Sequence, residues 1–558
     1  MVDRQATAAA GPAWYRTAVF YEVSVRSFQD SNGDGCGDVQ GLISRLDYLQ
    51  WLGVDCVWLL PVNASPLRDG GYDVSDYYSL LPVFGRMDDM KQLIDMAHER
   101  GLRVIMDLVV NHTSVQHPWF QSARSSRDSP HRDWYVWSDD PSRYAEARII
   151  FCDSEVSNWS WDELAGQYYW HRFYHHQPDL NYDNPAVHEA MFDVVRFWLD
   201  LGLDGFRLDA VPYLYEREGT NCENLPETHR FLADLRAMVD EEFGAPAGGD
   251  ARLLLAEANQ WPEEAAAYFG SSEHPECHMN YHFPLMPRLF MAVKLQNRGP
   301  ILDILARTPP TRAGAQWGIF LRNHDELTLE MVTEAEREYM WTTYAPDSRM
   351  RLNLGIRRRL TPLLDNSDEV LRLMHGLLLS LPGSPFLYYG DEIGMGDDIS
   401  LEDRDGVRTP MQWSSAANAG FSTATRDCLC SPLISKPPYS WRAVNVETQA
   451  RDSGSLLLWL RHCIALRKQW PVFGLGSFEP VGPANPAIFA FIRRTPEAAV
   501  LGVFNLSDRP QEALLDLPDC AGVVPLNILD NGELPMIESA EYPVVLQAHD
   551  FLWLSLTG

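Results

Sequence analysis

The sequence predicts an α/β protein: a parallel (β/α)8 barrel with a domain inserted after its third strand and a C-terminal antiparallel β-sandwich. Three observations predict it. Short, nearly continuous apolar runs alternate with amphipathic helical segments, as in parallel strands buried on both faces and joined by right-handed crossovers. Two long irregular stretches leave this pattern at the C-terminal ends of predicted strands. After about residue 470 the hydrophobic period shortens to two, with turn residues between the runs.

Taken in order, an irregular start of about fifteen residues precedes the first strand, Val19–Val23. Cys56–Leu60, Arg103–Asp107, Gly205–Asp209 and Leu253–Glu257 follow, then a weaker Met279–Phe283, Trp317–Leu321 and Pro385–Tyr389. Segments such as Met87–Arg100 and Asn184–Leu201 read as the helices between them. A strand count of eight fits a barrel better than a doubly wound sheet. The barrel is expected to span 14–110 and 184–470. Residues 111–183 are rich in Trp, Tyr and His and too long for a loop, so they form the inserted domain. A lid-like excursion covers about 391–439, and 471–558 form the sandwich, with strands at Ile488–Ile492, Ala499–Phe504 and Phe551–Leu554.

A chain of 558 residues exceeds one ordinary core, which agrees with several domains. Its formal charge of −31 argues against nucleic acid or an anionic membrane as partner. No apolar run approaches the roughly 18 residues of a membrane span, and the N-terminus lacks the apolar core of a signal peptide. Nine scattered cysteines without metal spacing suggest reduced thiols and a cytoplasmic protein.

The stretch Gly205-Phe206-Arg207-Leu208-Asp209-Ala210 is an apolar strand ending on a charged pair, a local conflict of the kind found at functional sites. Acids also stand at the ends of the fifth and seventh strands: Glu257, and Asp325 in Asn323-His324-Asp325. On a barrel these ends converge on one pocket. Asp209 and Glu257, from adjacent strands, suit the nucleophile and acid/base of a retaining glycosidase, which needs two carboxyls about 5–5.5 Å apart. Arg207 points to the same side as Asp209 and would keep it ionised. His112 and His324 are placed to donate hydrogen bonds to sugar hydroxyls.

Asp107–His112, Gly205–Asp209, Glu257 and Asn323–Asp325 resemble the signature regions of the α-amylase superfamily (glycoside hydrolase family 13), in order and at the expected strands. The resemblance implies that Asp209 is the nucleophile, Glu257 the acid/base and Asp325 the transition-state stabiliser. Asp69-Gly70-Gly71-Tyr72 is similar to the pocket motif of exo-acting members, where the acid grips a terminal glucose and the tyrosine stacks on it. Arg404, in Asp403–Trp413, would pair with Asp69 and seal that end. Tyr213–His229, Ala256–Pro262 and Asp403–Trp413 look like the trehalose synthase family, which interconverts maltose and trehalose. That implies transfer through a covalent glucosyl-aspartate, with glucose retained and some lost to hydrolysis. Segments 396–406 and 422–442 depart from that family's pattern and bear on the acceptor. The competing expectation is a hydrolytic α-glucosidase; a non-catalytic relative would have lost the acids.

Asp30–Asp38 spaces Asp30, Asn32, Asp34 and Asp38 at alternate positions with glycines between, with Cys36 contributing its carbonyl, which is cation-loop logic without the later Glu of an EF-hand. Similarity to the α-glucosidase loop implies Ca2+, or Mg2+, there. The resemblance implies a second Ca2+ site from Asn111, Asp179, Glu216 and the carbonyls of Tyr213 and Leu214. No organic cofactor is expected. The expected small-molecule partners are maltose, trehalose and glucose, and the reading admits a homo-oligomer and a maltose kinase as further partners.

Overall fold

The computed structural model describes residues 13–244 and 251–557. Most of the irregular start expected before the first strand lies outside the described residues. Eight parallel strands close a barrel: β1 (Phe20–Val23), β2 (Cys56–Leu59), β3 (Arg103–Val109), β4 (Gly205–Asp209), β5 (Leu253–Ala256), β6 (Met279–Tyr281), β7 (Gln316–Phe320) and β8 (Ser384–Tyr388). Closure is parallel, with Phe20 of β1 opposite Phe386 of β8. All eight predicted strands are present, the weak sixth included.

Large side chains fill the barrel interior. Phe20 stacks on Phe386 at 4.2 Å, and Tyr281 meets Phe386 at 5.0 Å. A Cβ on Gly318 of β7 would lie 2.9 Å from Phe386 and 3.1 Å from Tyr281, so glycine is the residue that lets this aromatic plug close. Outside, α1 (Met87–Glu99) and α2 (Pro185–Leu201) present apolar stripes to the strands. The start of α2 is set locally: Asn184 accepts from Ala186 N, Pro185 takes the first turn, and Gly202 ends the helix at φ 116°.

Three excursions from the C-terminal ends of the strands build the upper face. After β3, antiparallel strands Trp137–Ser138, Trp159–Asp162 and Gln167–Trp170 pack over a small core containing Tyr144, Trp159 and Trp170. After β7, helix Glu334–Tyr344 and strands Leu327–Thr328, Arg351–Leu352 and Gly355–Ile356 form a separate unit. The sequence reading did not single this one out, because its strands are only two residues long. After β8 the chain runs through short 3-10 turns, with little regular structure, across the expected lid region.

The C-terminal part holds β9 (Glu479–Val481), β10 (Ile488–Arg494), β11 (Ala499–Asn505), β12 (Gln511–Asp516), β13 (Leu526–Asn527), β14 (Gly532–Glu533), β15 (Glu541–Leu546) and β16 (Phe551–Ser555). They form an antiparallel six-stranded sheet and a β12–β15 pair, facing each other across a core that includes Ile488, Leu501, Leu515, Val544 and Leu554.

One expectation fails. The cysteines are not all reduced: Cys36 and Cys430 form a disulfide with Cα atoms 5.2 Å apart, tying the Asp30–Asp38 loop to the excursion after β8. Their separation of 394 residues hid the pairing from sequence reading. The seven others are free. Thiol titration of unreduced, unfolded protein is expected to count seven thiols, and peptide mapping to join the Cys36 and Cys430 peptides; nine thiols would refute the pairing.

Candidate active site

Strand β4 begins at Gly205 (φ 149°), where a Cβ would collide with Leu253 O of β5 at 2.1 Å. This close approach sets the register that pairs Arg207 with Asp107 of β3 and Leu255 of β5. Paired residues of a parallel sheet share a face, so Arg207 and Asp107 both point inward. Asp209 ends the strand on that face. The next residue, Ala210, is left-handed (φ 53°), a conformation that costs a non-glycine residue about 1 kcal/mol. It aims the Ala210 N–H at Glu257 Oε2, 3.1 Å away.

Arg207 organises three carboxylates. Its Nη1 donates to Asp107 Oδ1 at 2.7 Å and to Asp209 Oδ1 at 2.5 Å, while Nη2 meets Glu257 Oε1 at 2.5 Å. The guanidinium is 1 % exposed and lies against the Trp58 and Tyr72 rings. Burial pushes all three acids up and Arg207 pulls them back, leaving Asp209 and Asp107 at about 6. Glu257 also feels Asp209 and Asp325 and stands at about 8. At neutral pH the arrangement separates an ionised Asp209 from a protonated Glu257, the division of labour that acid/nucleophile chemistry needs.

The floor of the cavity is a second ion network. Arg404 reaches Asp69 Oδ1 at 3.0 Å and Asp325 Oδ1 at 3.1 Å, and Arg408 adds a contact to Asp325 Oδ1 at 2.9 Å. Gln177 donates to the other oxygen of Asp69 at 2.9 Å. Burial raises Asp325, yet His324, Arg404 and Arg408 outweigh it and hold the carboxyl well below the usual range. Tyr72 stacks parallel on His324 with centroids 5.4 Å apart and donates to Asp107 at 3.0 Å. His112 lines the cavity, but its Nε2 faces Tyr72 O at 3.2 Å, and burial lowers its pKa to about 3. It is a neutral ring anchored to Tyr72.

The cavity measures about 120 Å³ and brings together Asp69, Tyr72, His112, Asp209, Glu257, Asp325 and Arg404. Arg207 and His324 lie directly behind them. Phe151 and Phe173 of the inserted segment, Phe283 after β6, and Asn259, Glu326, Thr328 and Glu330 complete the wall. None of these last residues was assigned a role from sequence: Asn259 lies within the Ala256–Pro262 motif and Phe283 ends the sixth predicted strand, while the others sit on stretches without a motif. They meet at the mouth: Asn259 donates to Glu330 Oε2 at 2.9 Å, Arg148 pairs with the same oxygen at 3.0 Å, and Arg148 and Arg172 both hold Glu223. Inserted segment, Tyr213–His229 segment and post-β7 unit are thus tied over the opening.

The two expected metal sites differ. At the second, Asn111 Oδ1, Asp179 Oδ2 and Glu216 Oε1 are all buried without a hydrogen-bond partner, and Tyr213 and Leu214 lie on the turn just before Glu216. Burial raises Asp179 to about 8, and burial with the neighbouring Asp179 and Asp183 raises Glu216 well above its ordinary value. Orphaned oxygens next to acids fit a hard cation. No cluster of three or more His, Cys, Asp or Glu side chains converges on such a point among the described residues, so amide and carbonyl oxygens are needed to complete the set. In the Asp30–Asp38 loop, Asp30 accepts from the amides of Asn32, Gly33 and Gly35 and from Ser422. Asp38 accepts from Ser31 and Gly41, Asn32 from Asp34 N, and Asp34 from Cys36 N. No buried unpaired oxygen there supports the expected Ca2+ or Mg2+ at Asp30, Asn32, Asp34, Cys36 and Asp38.

Such a barrel with this constellation at its C-terminal face defines a carbohydrate-active enzyme, and residues 22–476 match the α-amylase catalytic domain model while 478–553 match the maltogenic amylase C-terminal domain. The chain belongs to the α-amylase family. It is 58% identical to the trehalose synthase/amylase of Mycobacterium tuberculosis over 98% of this chain and 91% of that one. It is 56% identical to the trehalose synthase of Pimelobacter sp., covering 98% and 96%. The crystal structure of an α-glucosyl transfer enzyme superposes with a TM-score of 0.78 at 30% identity, covering 98% and 99%.

Replacing Arg207 by methionine strands three buried carboxyls, and removing one partner of a buried network costs roughly 3–5 kcal/mol. The folded pKa values of Asp209 and Glu257 lie above the ordinary carboxylate range. Their burial is therefore least costly at low pH and most costly above the folded values. Thermal melting of Arg207→Met is expected to fall further below the parent at pH 8 than at pH 5. An equal deficit at both would show that the charges are not what Arg207 stabilises.

Proposed function

We propose that the protein interconverts maltose and trehalose by intramolecular glucosyl transfer with retention of anomeric configuration. The observation that carries this reading is a pocket sealed at its floor, where Arg404 bridges Asp69 and Asp325, with the Arg148–Glu330–Asn259 network along its wall. The similarity to trehalose synthases over 98% of the chain supports it.

The geometry performs the transfer as follows. Asp69 and Arg404 hold the non-reducing glucose with its anomeric carbon toward Asp209, and His112 walls the pocket beside Tyr72. Oδ1 of Asp209 is tied to Arg207, which leaves Oδ2 as the attacking oxygen. As the glycosidic bond breaks, Glu257 gives its proton to the departing oxygen, and glucose and a β-glucosyl-Asp209 ester are formed. Asp325, held ionised, stabilises the oxocarbenium-like transition state. The released glucose turns within the pocket and offers its anomeric hydroxyl to Glu257, now a base; as that oxygen attacks, the ester bond to Asp209 breaks, giving trehalose, a free Asp209 carboxylate and a reprotonated Glu257. A mouth that excludes water is what separates isomerisation from hydrolysis; leakage gives minor glucose. Ca2+ held by Asn111, Asp179 and Glu216 with the Tyr213 and Leu214 carbonyls would lock the inserted segment onto the barrel, a structural role.

Purified protein with maltose, followed by NMR, is expected to yield trehalose with little glucose; glucose alone would mark a hydrolytic α-glucosidase instead. Asp209→Ala and Glu257→Gln should each lower kcat by roughly 10^3-fold or more. Activity needs Asp209 ionised and Glu257 protonated, so kcat/KM should rise through about pH 6 and fall through about pH 8. In calorimetry, EDTA-treated protein is expected to regain several degrees of melting temperature on adding Ca2+. No recovery would remove the metal.

A further inference from the structure

Glu22 lies on β1, in register with Trp58 of β2 and Tyr388 of β8, and is 1 % exposed. Its Oε1 receives the backbone N–H of His324 at 3.2 Å and faces the Nδ1 of that ring at 2.5 Å. A carboxylate oxygen only accepts, so Nδ1 carries a proton. On the far side of the ring, Nε2 faces the Tyr72 hydroxyl at 2.7 Å and Asp325 Oδ2 at 3.0 Å. The single hydroxyl proton of Tyr72 goes to Asp107 Oδ2. Tyr72 must then accept from Nε2, as Asp325 does. Both ring nitrogens are donors, and His324 is an imidazolium.

We propose that Glu22 is a positioning residue of the active site, whose charge holds His324 doubly protonated and through it fixes Asp325 and Tyr72. Its kinetic consequence rests on the glucosyl-transfer reading above. The groups around the ring do not supply this charge at Nδ1. Trp58 meets the ring edge-on at 5.9 Å, Tyr72 stacks on it, and Arg408 donates to His324 O at 3.0 Å, a cation that opposes a second one. Burial also opposes it, and Asp325 and Glu22 together overcome that burial, bringing the ring to about 9. Glu22 thereby starts a hydrogen-bonded chain from β1 through His324, Tyr72, Asp107 and Arg207 to Asp209.

The test is the protonation of His324 in protein labelled with 15N-histidine, its signals assigned by their loss in His324→Gln. In the parent protein both ring nitrogens are expected to be protonated at pH 7.5. In Glu22→Gln, which keeps an acceptor but not the charge, the ring pKa should fall by about one unit or more, with partial recovery in Glu22→Asp. The alkaline limb of kcat/KM, set by Glu257 near pH 8 in the parent, should steepen and move down as the ring pKa falls to meet it, and kcat should drop about tenfold. A neutral ring in the parent protein overturns the proposal even if the variant fails to fold. So does an unchanged ring pKa, with an unshifted pH profile, in a folded Glu22→Gln. The ring measurement needs no turnover, so it stands whether or not maltose is the substrate.

Discussion

One buried guanidinium shared by three acids is the constraint on which the rest of this active site depends. Arg207 contacts Asp107, Asp209 and Glu257 from the barrel interior. An isolated carboxylate there would simply take up a proton to escape its desolvation. A single cation among several acids does something more selective: it leaves Asp209 near 6 and Glu257 near 8. The register of β3, β4 and β5 is what puts these groups around one side chain.

A second constraint is closure. The floor is ionic and the mouth is ionic, but the two are built differently. The floor joins segments that the barrel strands position directly, Asp69 after β2 and Asp325 after β7, through Arg404 of the post-β8 excursion. The mouth joins irregular segments to each other, Arg148 to Glu223 and Glu330. These pairs join separate excursions to one another and not to the barrel strands, so they are the contacts that must break for substrate to enter. The Cys36–Cys430 bond fastens the excursion that carries Arg404 to the loop after β1.

Legibility in the sequence followed regularity of backbone. The barrel strands announced themselves as apolar runs, and Asp209, Glu257 and Asp325 could be placed because strand ends converge. Arg207 and Asp107 share the barrel interior for the same reason. What escaped was carried by irregular chain or by distance in sequence. Phe151, Phe173, Asn259, Thr328 and Glu330 have no periodicity to mark them, and Glu22 looked like one more residue of an apolar strand. The Cys36–Cys430 pairing spans most of the chain. His112 was expected to donate to sugar, whereas its Nε2 turns to the Tyr72 carbonyl. The orphaned oxygens of Asn111, Asp179 and Glu216 become visible only once burial is known.

The central claim is that a glucosyl group leaves and returns to the same glucose inside a closed pocket. Maltose labelled with 13C in its reducing ring only, incubated with a large excess of unlabelled glucose, tests it most directly. The account predicts trehalose that keeps the label in one ring of nearly every molecule. Trehalose in which the label has been diluted by the added glucose would contradict it, because the acceptor would then have come from solution.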